Sequence, residues 1–203
     1  AAIARHTNAF KLNEDVVIPL ERLGEYTDAV ERINIELSIR NKLEVLDAVA
    51  AYLEGTPRVG KTGDADTDHL PAGQLLGDRP RLALEVIAAA RRRWSWLLGN
   101  MDRTLAQSLD VLADLGLGAQ ADGFASRTAR DAGVRVFDLL QDRSIRVSWK
   151  SEVRNELRRI FAGGAFIPLL DDVVAIQQRV LRGRVFVALH MHAGDGNVHT
   201  NIP

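Results

Sequence analysis

Apolar residues recur at α-helical spacing between Glu21 and Leu53. They are Leu23, Tyr26, Val30, Ile33, Leu37, Leu43, Leu46, Val49 and Leu53. The spacing predicts either one helix of about 50 Å or two helices that break between Asn34 and Asn41. Gly55 and Pro57 predict the end of this helical region.

Shorter helical patterns follow in the middle of the chain. They predict helices over residues 80–98, 101–115, 124–142, 151–161 and 168–181. Glycine and proline are frequent between residues 55 and 78, and this composition predicts a long loop.

The two ends of the chain carry strand patterns instead. Val16–Ile18 is a β-branched run closed by Pro19, and it predicts an edge strand. Residues 184–192 and 198–202 predict two further strands, joined by an Asp195-Gly196 hairpin turn. We therefore expect an α+β fold that is rich in helix, with a small antiparallel sheet built from strands near both ends.

Composition narrows the possible functions. The chain has 203 residues, a net charge of −1 and no cysteine, which excludes disulfides, thiolate metal sites and a cysteine nucleophile. The charge balance gives no reason to expect a nucleic-acid partner. No apolar run approaches the ~18 residues of a membrane span. We expect a cytoplasmic protein, with a peripheral place at the inner membrane left open. Because the chain starts at Ala1 and ends at Pro203 within a predicted strand, we interpret it as a piece of a longer protein.

Residues 55–62 match the spacing of a phosphate-binding loop, a glycine followed after four residues by Gly60-Lys61-Thr62. Such a loop needs a strand before it and a helix after it. Here a predicted helix precedes the loop, and the acidic run 63–68 follows it. Nucleotide binding is therefore the weakest of the three interpretations that we consider.

Asp64, Asp66 and Asp68 have the spacing that opens a calcium-binding loop. His69 stands where that loop requires glycine, and Leu75 stands where it requires glutamate. A solvated acidic loop is the better interpretation.

The run Arg91-Arg92-Arg93-Trp94-Ser95-Trp96 combines basic and aromatic residues, as nucleic-acid-binding segments do. On a helix the arginines and Trp94 point in different directions. We expect a buried tryptophan face and a solvated arginine face.

Three of the five histidines, His190, His192 and His199, fall within ten residues. Residues 190 and 192 share one face of a strand, and a hairpin through Gly194–Asn197 can bring His199 opposite His192. Neutral imidazole is the commonest metal ligand, so this hairpin is the best candidate for a metal or catalytic site. The structural alternative is a hairpin whose histidines only stabilise the fold.

The run from His192 to His199, His-Ala-Gly-Asp-Gly-Asn-Val-His, resembles the signature of the FAD-linked oxidase C-terminal domain. This domain occurs in D-lactate, glycolate and D-2-hydroxyglutarate dehydrogenases of the vanillyl-alcohol-oxidase class. The run from Asn13 to Leu23 resembles the first strand segment of the same domain. The two resemblances cover about 15–20 residues at each end. Residues 55–160 have no counterpart in the better-known members, and we interpret them as a helical insertion.

The resemblance implies a cap domain that covers the flavin of a separate FAD domain in the same protein. It implies that His192 and His199 act in catalysis, and that they bind either a divalent metal such as zinc or the substrate itself. It also implies that Asn197 contacts a 2-hydroxy-acid substrate. Lys11 is the candidate for the substrate carboxylate. A third metal ligand and the catalytic base are expected beyond Pro203, so the chain alone is expected to be inactive.

We therefore expect the substrate-binding cap domain of an FAD-dependent enzyme that oxidises a D-2-hydroxy acid, with its electron acceptor unspecified. The main alternative is a helical protein-interaction module without a catalytic role.

Overall fold

The structure is a computed structural model that describes residues 12–61, 70–118, 121–184, 187–192 and 197–202. Its helices are α1 (Leu23–Glu54), α2 (Ala72–Leu76), α3 (Arg79–Gly99), α4 (Leu109–Leu112), α5 (Ala121–Arg130), α6 (Val136–Gln141), α7 (Asn155–Ile160) and α8 (Ile167–Leu181). Short 3-10 turns at Leu20–Arg22 and Gly164–Phe166 precede α1 and α8.

Helix α1 is a single unbroken helix of 32 residues, about 48 Å long. The break that the sequence suggested between Asn34 and Asn41 does not occur. Asn34, Ser38 and Lys42 follow one another at intervals of four and form a polar stripe along the helix. On the core side of α1, Leu46 and Val49 are fully buried.

Helices α1 and α3 supply five buried residues each to one continuous hydrophobic core, to which α6, α8, the other helices and the turns add the remainder. Trp94 of α3 is the largest fully buried side chain. Segment 55–160 packs into this same core and does not form a separate one within the described chain. That it is an insertion remains a prediction.

A carboxylate ties α3 to the turn before α7. Glu152 lies in a π-helical turn (Lys150–Arg154) and accepts hydrogen bonds from Arg93 Nη1 at 2.7 Å and from Trp94 Nε1 at 3.0 Å. Its other oxygen accepts the backbone N–H of Ser148 at 2.7 Å. Fixing one carboxylate with three donors sets the rotation of α3 against this turn.

Two predicted helices are interrupted. The helix predicted over 101–115 begins only at Leu109 and runs into a π-helical turn (Ala113–Leu117). Gly116 in that turn has φ of 82°, and a Cβ there would lie 2.8 Å from Arg93 Nη2, so only glycine fits. The helix predicted over 124–142 divides into α5 and α6, because residues between them bond to residues 103–105. The amide of Leu105 donates to Val134 O at 2.7 Å.

The predicted α+β fold class is wrong. Where the structure describes side-chain packing, the core consists of helices and the turns between them, so the molecule is all-helical in its packed part. The long helix α1 packs its buried apolar residues against α3 and α8, as in a helix-on-helix architecture.

Three short backbone segments pair antiparallel in the order β1 (Leu12–Val17), β3 (Asn197–Ile202), β2 (Ala188–His192). As far as their side chains are described, none of their residues belongs to the hydrophobic core. Val17, the strand residue whose burial is described, is 76% exposed.

Candidate functional site

Strands β2 and β3 carry the histidines of the predicted site, and their register differs from the predicted one. His190 lies opposite His199, and His192 lies opposite Asn197. A two-residue turn at Asp195-Gly196 would have placed His199 opposite His192. In the observed register the last paired residues are His192 and Asn197, so the connection between the strands is the four residues 193–196. Because the shift is two residues, positions 190, 192, 197 and 199 still fall on one face of the sheet.

Strand β1 adds a carboxylate position to this face. Asp15 lies opposite His199, so Asp15, His199 and His190 form one row across the three strands. Val17, Asn197 and His192 form the next row. Directly opposed residues in an antiparallel sheet have Cβ atoms about 4.5–5.5 Å apart. Asp15 was not among the predicted site residues, because nothing local in the sequence indicates that the first strand pairs with the last.

The side chains of Asp15, His190, His192, Asn197 and His199 lie outside the described part of the structure, which gives their backbone positions only. Lys11 also lies outside the described residues, as do Asp64, Asp66 and Asp68. Among the side chains that are described, no group of three or more histidines or acidic residues is placed to hold a metal ion.

The entry to β2 is fixed by a side chain of α1. Asn34 Nδ2 donates to Val187 O at 2.8 Å, and the Val187 N–H donates to Asn34 Oδ1 at 2.7 Å. The amide thus pairs with both backbone groups of Val187 as a neighbouring strand would. Sequence reasoning assigned Asn34 to a break in the helix and missed this role, because its partner is 153 residues away.

A groove opens beside this contact. One cavity of about 420 Å³ lies between α1, Trp149 and the end of α8. A second cavity of about 590 Å³ lies between α1 and the segment after α6, and the polar stripe of α1 lines both cavities. Lys42 lines both cavities and is half-buried. Its burial removes water from the ammonium group and lowers its pKa.

The phosphate-binding pattern at residues 55–62 does not form a phosphate site in its described part. The Gly60 N–H, which would face a phosphate, donates to Ala165 O at 2.7 Å. The backbone N–H of Arg58 donates to the Tyr52 hydroxyl at 3.1 Å, and the guanidinium of Arg58 pairs with Asp172 of α8. The loop is therefore used to attach the end of α1 to α8.

The arginine and tryptophan run lies within α3, where the predicted separation is confirmed. Trp94 is fully buried, and Arg91 and Arg92 are exposed. Arg91 pairs with Asp47 of α1, while the half-buried Arg93 pairs with Glu152. These contacts explain the run as part of the packing between helices.

Comparison with known proteins adds no relative: no family model, no curated protein and no solved structure matches the chain. Within the described residues, none of the helices combines the length and the apolar character needed to cross a membrane.

The row of Asp15, His199 and His190 combines two histidines and an aspartate. Zinc and other divalent transition metals bind such mixed nitrogen and oxygen donors. The residue types at this face therefore fit the metal that the family resemblance implies.

Proposed function

We propose that this chain is the substrate-binding cap domain of an FAD-dependent enzyme that oxidises a D-2-hydroxy acid. The observation that supports the proposal best is the register of the strands. It brings both signature histidines, His192 and His199, and the signature Asn197 to one face, beside Asp15. The runs at the two chain ends that resemble the family are the same segments that pair with each other.

His192 and His199 would hold a divalent ion, which supplies a Lewis acid that lowers the pKa of the substrate hydroxyl. Asp15 and His190 share the row of His199 and could complete the ligand set within this chain. The Asn197 amide would donate to the substrate carboxylate and orient it, and Lys11 is proposed to add a positive charge there. FAD would supply the hydride acceptor when bound, so the task of this domain would be to bind and orient the substrate.

The metal part of the proposal is tested on the chain itself with Co²⁺ as a spectroscopic probe. We expect visible absorption bands that saturate at one ion per chain and that disappear in His192→Ala and His199→Ala. His69→Ala is the matched control, because His69 belongs to none of the proposed rows, and it should bind Co²⁺ as the parent chain does. Equal binding of Co²⁺ by all three variants would show that these strands do not form a metal site.

The redox part is tested in the protein that carries this chain together with its flavin. D-2-hydroxy acids should reduce the flavin, their L-enantiomers should not, and His199→Ala should lose the reduction. Reduction that proceeds unchanged in His192→Ala and His199→Ala would leave the strands with a structural role only. Absence of FAD from the protein would overturn the assignment.

A further inference from the structure

The two cavities beside α1 form one groove, which we call the α1 groove. Asn34, Ser38 and Lys42 line both cavities and lie on one stripe of the helix. This stripe spans about 12 Å. The first cavity extends to Gln177 and Arg184, and the second extends to the segment after α6. Their volumes, about 420 and 590 Å³, are typical of sites for small organic molecules.

The described wall of the α1 groove is strongly positive. Lys42 lies in the middle, Arg184 lines the first cavity, and Arg143 and Arg146 line the second. None of these four cations forms an ion pair with a described residue. One carboxylate, Glu31, also lines the groove.

Glu31 does not neutralise this charge by pairing with a cation. It accepts a hydrogen bond from Gln141 Nε2 at 2.9 Å. Glu152, which attracts Lys42 over a longer distance, is already bonded to Arg93, Trp94 and Ser148.

This arrangement is energetically unfavourable for the ammonium group of Lys42. The residue is half-buried, and the hydrogen bond described for its ammonium group is one to Ser38 Oγ at 2.6 Å. A partly dehydrated ammonium group without a counterion is unfavourable in the folded state. An anion in the groove would offset that cost.

Arg143 is placed in the groove by a strained backbone. It follows α6 with φ of 63°, the one non-glycine residue with positive φ in the described chain. Glycine is the usual residue just beyond a helix end in this conformation, since it adopts positive φ without strain. Arginine at this position therefore adopts a positive φ that glycine would adopt with less strain, and its side chain lines the second cavity.

Trp149 lines the first cavity. The residue is 6% exposed, and its indole Nε1–H has no acceptor among the described residues. Buried donors are normally paired, so this indole is an exception among the described residues, and its position beside the cavity makes it a suitable reporter of binding there.

We infer that the α1 groove binds a small organic polyanion with oxyanion groups at two points. One group lies between Lys42 and Arg184 and the other at Arg143 and Arg146. Carboxylates and phosphates share the chemistry that these side chains recognise. The inference rests on the helical part of the molecule and does not depend on the proposed function of the strands.

The test follows the indole N–H resonances of the 203-residue chain by NMR, with the Trp149 signal assigned by its absence in Trp149→Phe. Citrate and pyrophosphate are the probes. A saturable shift of the Trp149 resonance with citrate alone identifies a carboxylate ligand, and a shift with pyrophosphate alone identifies a phosphate ligand. A shift with both supports the site without distinguishing the two. The absence of a shift with either probe at millimolar concentration overturns the inference.

Substitutions show whether the groove itself is responsible. Lys42→Gln and Arg184→Gln should each weaken binding about tenfold or more, whereas Arg92→Gln should stay within about twofold. Arg92 is the matched control because it is exposed on α3, away from the groove. Equal losses of anion affinity in Arg92→Gln and Arg184→Gln would show that the net charge of the protein, and not the groove, determines binding. This result would contradict the proposed site.

Arg143→Gly separates binding from folding. It should raise the melting temperature, since glycine relieves the positive φ, and at the same time weaken binding. A variant that is more stable and binds as tightly as the parent would exclude Arg143 from the site.

Discussion

The helical body, which comprises α1–α8 and the turns between them, and the paired strands β1, β2 and β3 have different roles in the molecule. Within the described residues, the body buries a continuous apolar core in which Ser108 is the one fully buried polar side chain. The strands carry histidine, aspartate and asparagine in register. In the described part of the chain, the side-chain hydrogen bonds between them run from Asn34 to Val187, just before β2.

This division implies that stability and chemistry can be altered separately. Burial in the body supplies the free energy of folding, because each large apolar side chain contributes about 1.5–3 kcal/mol. The strands carry polar residues whose proposed role depends on their positions relative to one another. Substitutions in the body should therefore lower stability, and the Asn34 contact is where the two regions can be disconnected.

The largest effect is expected from Trp94→Ala. This substitution leaves a cavity at the centre of the body and removes a donor to Glu152, and it should cost about 3–5 kcal/mol. Urea unfolding followed by circular dichroism measures the change. Trp96→Ala, at a half-buried position of the same helix, should cost clearly less. Equal losses would mean that α3 is packed differently.

The next effect is expected from Glu152→Ala. It leaves the guanidinium of Arg93, the indole N–H of Trp94 and the amide of Ser148 without their acceptor. We expect a loss of about 2–3 kcal/mol in the free energy of unfolding. Glu156→Ala removes an exposed pair with Arg159 and should cost at most about 0.5 kcal/mol. A Glu152 variant as stable as the Glu156 variant would refute the role assigned to this carboxylate.

Asn34→Ala should have a smaller and local effect. It removes both hydrogen bonds to Val187, worth about 1–2 kcal/mol together. Hydrogen exchange of the Val187 amide should accelerate, while that of the core amides in α3 stays unchanged. Asn41→Ala, in the wall of the same groove, is the control. Unchanged exchange at Val187 in Asn34→Ala would show that the strands are held by other contacts.

The smallest effect concerns acid. The Arg58 guanidinium, together with the Tyr52 hydroxyl, holds the pKa of Asp172 below its usual value. A carboxyl whose pKa is lowered by folding stabilises the folded state above its unfolded pKa of about 3.9 and loses this contribution as the pH falls through the folded value. Asp172→Asn should therefore lose about 1 kcal/mol or less at pH 7.

The same variant should also lose part of the dependence of stability on pH below about pH 4. Unfolding curves across this range measure the difference. An identical pH dependence in both proteins would show that the pair with Arg58 does not persist in solution.

The sequence predicted α3 and α8 well, because helical periodicity is a local property that neighbouring residues determine. It predicted the continuity of α1 less well. The polar stripe that suggested a break is the wall of the α1 groove, and the amide of Asn34 pairs with the distant Val187.

The class of the fold was predicted wrongly for a related reason. Runs of β-branched residues indicate an extended backbone, but they do not indicate whether a sheet forms a layer of the core. The place of Asp15 beside His199 depends on pairing across most of the chain, which no short pattern contains.

The order of the strands has a consequence for synthesis. Strand β3 is the central strand, and β1 waits for a partner that leaves the ribosome about 180 residues later, roughly 10–40 s at bacterial and eukaryotic rates of translation. The helices lie between them in the sequence and can pack during that interval. The row of Asp15, His199 and His190 can thus be assembled after the helices between these strands have packed. A chaperone or partner that acts on the nascent chain would meet β1 as an unpaired edge.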